Sequence, residues 1–205
     1  MEYNIKVHKK PYGDETIFKK TTLTLTPGVY ILCGCNGAGK STLLMEIVEF
    51  LRKEKTDFVE FNGKRDAGSN LTSRALFEDN LALTATSICS SEGENLHIAI
   101  GEFAKKIGHE LKRENKKEFW VLCDAIDSGM SIDQVLDIQD FFVDFLPSEV
   151  KDTDLFVIMA SNQFEMTRKG KCIDVINLEE IEFNGYEDYK KFILKTQKLK
   201  EKRAK

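Results

Sequence analysis

A mainly parallel β-sheet flanked by helices and preceded by antiparallel strands is the α/β fold this sequence predicts, on three observations. Short apolar runs (Val29-Tyr30-Ile31-Leu32-Cys33, Phe119-Trp120-Val121-Leu122-Cys123 and Leu155-Phe156-Val157-Ile158-Met159) read as strands buried on both faces. Segments of helical periodicity separate them, as crossovers between parallel strands require. A glycine-rich turn joins the first of these strands directly to a helix.

The elements follow in order. Ile5 and Val7, then Leu23 and Leu25, alternate with polar neighbours around a turn at Pro11-Tyr12-Gly13-Asp14. They read as antiparallel strands, and Thr26-Pro27-Gly28 leads into the first buried strand. Beyond the glycine turn, Leu43, Leu44, Ile47, Val48 and Leu51 mark one face of a helix. Residues 57–61 read as a short strand, 62–73 as loop for their Asn, Gly, Ser and Asp content, and 74–87 as helical in part. Leu96, Ile100, Phe103, Ile107 and Leu111 repeat at helical spacing. Residues 132–146 form an amphipathic pattern that Pro147 is expected to stop. A strand over 173–178 and a helix from about Glu187 complete the chain. We expect one domain spanning residues 1–205.

Composition narrows the class. With 41% hydrophobic and 31% charged residues, the 205-residue chain can bury a sizeable core and is not of the disordered type. No apolar stretch nears the roughly 18 residues of a membrane span. Five cysteines, an odd number with several inside apolar runs, point to reduced core thiols and a cytoplasmic location. The net charge of −4 is uneven, because residues 190–205 hold eight basic side chains and one acidic. Such a tail suits either a solvated helix end or nucleic acid as partner.

The turn itself carries chemistry. Gly34-Cys35-Asn36-Gly37-Ala38-Gly39-Lys40-Ser41-Thr42 fits G-x-x-x-x-G-K-[S/T], between a buried strand and a helix. Backbone N–H groups of such a loop wrap phosphates, the lysine reaches the β- and γ-phosphates, and the hydroxyl helps hold Mg²⁺. Residues 36–42 are therefore candidates for binding a nucleoside triphosphate, which makes the fold a P-loop NTPase. Asp124, at the end of an apolar strand, is the candidate second Mg²⁺ ligand beside Ser41. Ser90-Ser91-Glu92-Gly93-Glu94 precedes a helix, where free N–H groups attract an anion or a capping hydroxyl satisfies them.

In this order the pieces resemble the ATP-binding cassette (ABC) superfamily of ATPases, over most of the chain. Ser91 and Gly93 fall where the family's signature motif has its phosphate-contacting serine and second glycine. The resemblance implies that this motif completes the site of another subunit, so that a homodimer sandwiches two ATPs. Ser128-Gly129-Met130-Ser131 resembles the family's D-loop, and Tyr12 lies where an adenine-stacking aromatic would, a surface turn tyrosine being the equal alternative. Three positions depart from the pattern. Ala125 replaces the catalytic glutamate, leaving Asp127 and Glu92 as the nearest carboxylates; Asn162 replaces the switch histidine; and no glutamine follows Phe61, so that this element is either missing or replaced, with Asn62 and Asp66 as the candidates. Only 51 positions separate Lys40 from Ser91, which predicts a reduced helical subdomain.

These features predict an ATP- and Mg²⁺-dependent dimer without a membrane partner, in which Lys40, Asp127 and Asn162 are the catalytic candidates for slow hydrolysis. The alternatives are a hydrolysis-deficient, ATP-gated module controlling an effector protein, or a DNA-associated ATPase.

Overall fold

The computed structural model describes residues 1–9, 17–67, 69–113 and 116–203. Tyr12 and the 11–14 turn lie outside these. The elements in chain order are β1 (Tyr3–Lys6), β2 (Thr22–Leu25), β3 (Gly28–Cys33), α1 (Lys40–Glu54), β4 (Phe58–Asn62), α2 (Gly63–Asp66), α3 (Ser69–Phe77), α4 (Leu81–Cys89) and α5 (Glu92–Leu111). The second half contains β5 (Glu118–Asp124), α6 (Ile132–Gln139), α7 (Leu146–Glu149), β6 (Asp154–Ala160), β7 (Lys171–Asp174), β8 (Glu179–Ile181) and α8 (Tyr186–Arg203).

Six strands form the central sheet in the order β4-β5-β6-β3-β7-β8, and β1 and β2 pair antiparallel as a separate hairpin. All pairings in the central sheet are parallel except β7 with β8. Side chains alternate across it. Val29, Ile31 and Cys33 of β3 face a layer containing α5, α6 and α7, whereas Tyr30 and Leu32 face α1 and the β1–β2 hairpin. Both faces are thus covered, the reason the parallel strands read as unbroken apolar runs. Because β6 separates β3 from β5, the loops after β3, β5 and β6 open at one edge, where ligands of α/β sheets bind.

Four local expectations change. The segment 62–73 is largely helical rather than loop: Asn62 caps α2, its side-chain oxygen accepting the N–H groups of Lys64 and Arg65, and α3 follows. The same polar residues that suggest a loop serve here as helix starts. Pro147 does not stop the 132–146 helix. A π-helical turn over Asp140–Phe145 re-registers the chain, and Pro147 then falls in the first turn of α7, where a missing N–H costs nothing. The last strand is shorter than 173–178, because β7 ends at Asp174 and Val175 to Leu178 form the turn into β8, with Val175, Ile176 and Leu178 packed into the core. The final helix begins at Tyr186 and is no free solvated end, since Tyr189, Phe192 and Thr196 are buried.

Among the described residues the elements between β4 and α5 are the short helices α2, α3 and α4. Leu76, Phe77, Leu81 and Ile88 of α3, α4 and their connection stand exposed, Phe77 by 89%. Among the described residues no helix is long and apolar enough to cross a membrane.

Candidate functional site

The loop after β3 delivers its glycines and lysine to the start of α1. Gly39 is the N-cap of that helix at φ 111°, a conformation glycine adopts without a Cβ penalty. No side chain caps this end, and its first turn holds no acidic residue. The first-turn N–H groups of a 15-residue helix therefore point into a cleft with the positive end of the helix dipole behind them. Cations complete the picture. Lys40 is buried, and its ammonium donates to the carbonyls of Gly34 at 2.7 Å and Cys35 at 3.2 Å. Burial lowers its pKa from the ordinary 10.5, while nearby Cys35, Asp127 and Asp124 oppose the fall. Among the described residues no carboxylate forms an ion pair with this ammonium, which is held in the loop by carbonyls.

Asp124 ends β5 directly opposite Asn62, the last residue of β4. Its two oxygens have separate donors: Oδ1 accepts from Ser41 Oγ at 3.0 Å and Oδ2 from Asn62 Nδ2 at 3.2 Å. Ser41 of α1 and Asp124 of β5 thus stand together, as a hydroxyl and a carboxylate must to share a hard cation. Among the described residues no group of three or more His, Cys, Asp or Glu could hold a metal by itself. A cation here would need further oxygens from its ligand, which is how Mg²⁺ is held beside phosphates. The pair of donors fits that ion.

Asn62, weighed with Asp66 as a stand-in for the missing glutamine, is the one that reaches Asp124. Asp66 instead accepts the Asn62 N–H at 2.8 Å and pairs with Arg65. Burial raises its pKa, but the hydrogen bonds and charge of Arg65 with the Asn62 N–H outweigh this and hold it below the usual range.

The loop after β5 places Ala125 at φ 51°, a left-handed conformation uncommon for alanine. Asp127, two residues on, is 4% exposed. Its Oδ2 accepts from Ser161 Oγ at 2.6 Å and from the N–H groups of Asn162 at 2.8 Å and Gln163 at 2.9 Å. Its carboxylate anchors the loop after β6 rather than facing the cleft. Asn162 is exposed beside Lys40 and Ser41, its backbone tied to Asp127 and to the Tyr189 hydroxyl.

Gly39, Lys40, Ser41, Asp124 and Asn162 line a cleft of about 520 Å³ that also includes Asn36, Gly37, Thr42, Ala125 and Ser128. Three wall residues are unmarked by sequence motifs, Ile17, Lys64 and Ala160. Lys64 adds a cation opposite the glycine loop; the cue was its place two residues beyond the strand end at Asn62. Ala38 is buried beneath the loop.

Ser91 and Gly93 do not line this cleft. Ser91 is exposed and caps α5: its Oγ accepts the Glu94 N–H at 3.3 Å, and Glu94 accepts the Ser91 N–H at 2.7 Å. Gly93 is buried against the 128–131 loop, where a Cβ would stand 2.4 Å from the Gly129 carbonyl oxygen. Glycine is therefore required there by packing within one chain. The side chain of exposed Glu92 lies near Gly129 rather than in the cleft.

No family model matches the sequence, and no curated protein matches it. Among solved structures the chain is similar to a metal-chelate type ABC transporter in an inward-facing conformation, with 15% identity over 93% of this chain and 87% of that one and a TM-score of 0.56. The nucleotide-free ATP-binding cassette of an ABC transporter matches over 98% of this chain and 96% of that one, at 15% identity and a TM-score of 0.47. The first likeness, with the sheet order and the loop-to-helix geometry, shows the fold the two chains share, a mainly parallel sheet flanked by helices.

Proposed function

We propose that the chain is an ABC-type, head-only nucleotide-binding domain that takes Mg·ATP into the cleft and closes as a homodimer over it. The observation that carries this reading is the uncapped start of α1 with Lys40 inside the loop and Ser41 joined to Asp124 at its side. The phosphates would lie on the N–H groups of residues 36–42, with Lys40 exchanging loop carbonyls for β- and γ-oxygens. Mg²⁺ between Ser41 and Asp124 would neutralise charge on the phosphates. Asn62, already bonded to Asp124, would orient that carboxylate. Asn162 would donate to the γ-phosphate, and Ser91 with Gly93 would act on the nucleotide of the second copy. In such a site acceleration comes mainly from positioning and charge.

Turnover in this reading is slow. Ala125 cannot polarise water, and Asp127 acts as a positioning residue that holds Asn162, not as the base expected of it. Phosphate release from Mg·ATP should rise faster than linearly with protein concentration and vanish in Lys40→Ala. In Ser91→Arg, ATP should still bind while sedimentation shows only monomer; an ATP-driven dimer in that variant would remove the signature assignment.

A second reading, favoured by the three hydrogen bonds that commit Asp127 Oδ2 to the loop after β6, is a nucleotide-held module whose closed dimer engages a partner protein without hydrolysis. ATP then acts by its higher affinity for the closed state. A persistent ATP-bound dimer with no phosphate release above the Lys40→Ala blank would establish it over the enzyme.

A further inference from the structure

We propose that Lys200 of α8 is an additional phosphate-binding residue, which makes the C-terminal helix a wall of the nucleotide site. This rests on the nucleotide reading above. Three contacts tie α8 to the two loops at the edge of the sheet. The Tyr189 hydroxyl donates to the Asn162 carbonyl at 2.8 Å, Thr196 Oγ1 accepts the Cys35 N–H at 3.0 Å, and Lys200 Nζ donates to the Asn36 carbonyl at 3.0 Å. Positions 189, 196 and 200 are separated by two turns and then one, so a single face of the helix makes all three, over ~16 Å. Thr196 is 2% exposed, which fixes the helix against the loop.

Lys200 is close enough to matter to a ligand. A Cβ on Gly37 would stand 2.9 Å from its ammonium, so the bare glycine backbone makes room for it. Gly37, at φ 75°, belongs to both the loop and the cleft. Among the described residues no carboxylate pairs with Lys200, and its acceptor is the Asn36 backbone carbonyl. The carbonyls of Gly34, Cys35 and Asn36 thus carry two ammonium groups, Lys40 and Lys200, with neither neutralised by an ion pair. Two uncompensated cations on one uncapped helix-start loop suit a polyanion, and a triphosphate supplies several oxygens for both. A neutral carbonyl is the weaker partner for an ammonium, so a phosphate oxygen takes its place when bound. A depression of about 430 Å³ lies between α8, the loop and Asn162; Lys200 lines it beside Asn36, which also lines the cleft, and this leaves Lys200 space to turn.

The test is calorimetric titration of the full chain with Mg·ATP and Mg·ADP at low and high salt. Wild type should bind and Lys40→Ala should not; wild type failing to bind overturns the nucleotide reading itself. Lys200→Gln should bind Mg·ATP roughly tenfold more weakly, with less salt dependence than wild type and a smaller loss for Mg·ADP. Lys200→Arg should recover affinity. Thr196→Val, which removes the brace but no charge, should leave the salt dependence unchanged. Wild-type affinity in Lys200→Gln overturns the inference alone. So does an equal, salt-independent loss in Lys200→Gln and Thr196→Val, which would mean bracing of the loop and nothing more. Thermal melts of each variant verify folding.

Discussion

Asp124 and Asp127 stand three residues apart beyond one strand, and the fold uses them in opposite ways. Asp124 is half-buried with two donors, Ser41 and Asn62, both side chains that can turn to other acceptors. Asp127 is buried with three donors on one oxygen, two of them backbone N–H groups that cannot turn away. A carboxylate of the first kind can exchange partners for a metal; one of the second kind is part of the frame. The contrast separates binding from scaffolding within a single loop.

The largest expected effect breaks the frame. Asp127→Ala takes the acceptor from the buried Ser161 hydroxyl and from the Asn162 N–H, leaves the Gln163 N–H with Ser161 Oγ alone, and should lower stability by about 3 kcal/mol in urea unfolding. Asp124→Ala, in the more open position, should cost about 1 kcal/mol or less in the same measurement. Similar losses for the two would abolish the distinction. Next comes nucleotide affinity. Asp124→Ala should reduce the Mg²⁺-dependent part of ATP binding on the order of 100-fold, and ATP binding without Mg²⁺ should scarcely change.

A pH series sharpens the picture. Because burial places the folded Lys40 pKa below 10.5, the folded chain loses that proton earlier than the unfolded chain as pH rises. Protein stability should thus increase through that window, while affinity for ATP, which needs the cation, should fall. Affinity measured toward alkaline pH should decline in wild type and stay level in Lys40→Arg. The smallest effect lies between the two acids. Ala125→Gly removes left-handed strain at the cost of chain entropy, for a net gain of about 0.5 kcal/mol in thermal unfolding.

Much of the site was legible because its chemistry is local. The loop from Gly34 to Thr42 and the apolar strand ending in Asp124 each sit within a few residues, flanked by periodicities that name their elements. What escaped was non-local or used familiar residues differently. That Asp127 is bound by Ser161, Asn162 and Gln163 depends on a contact across more than thirty residues. Lys200 meets Asn36 across 164, and basic residues in a tail look alike whether they face solvent or a loop. Pro147 and Asn62 misled for a shared reason: both residue types break helices in the middle yet start them well.

The distribution of thiols has a practical consequence. Cys33, Cys35, Cys123 and Cys172 are buried, and Cys89 at the end of α4 alone is exposed. A maleimide dye should therefore attach to the unaltered protein at one position, two residues ahead of Ser91. Two dyes brought together by pairing of copies would quench or transfer energy, so a fluorimeter could follow association in real time as nucleotide is added and removed.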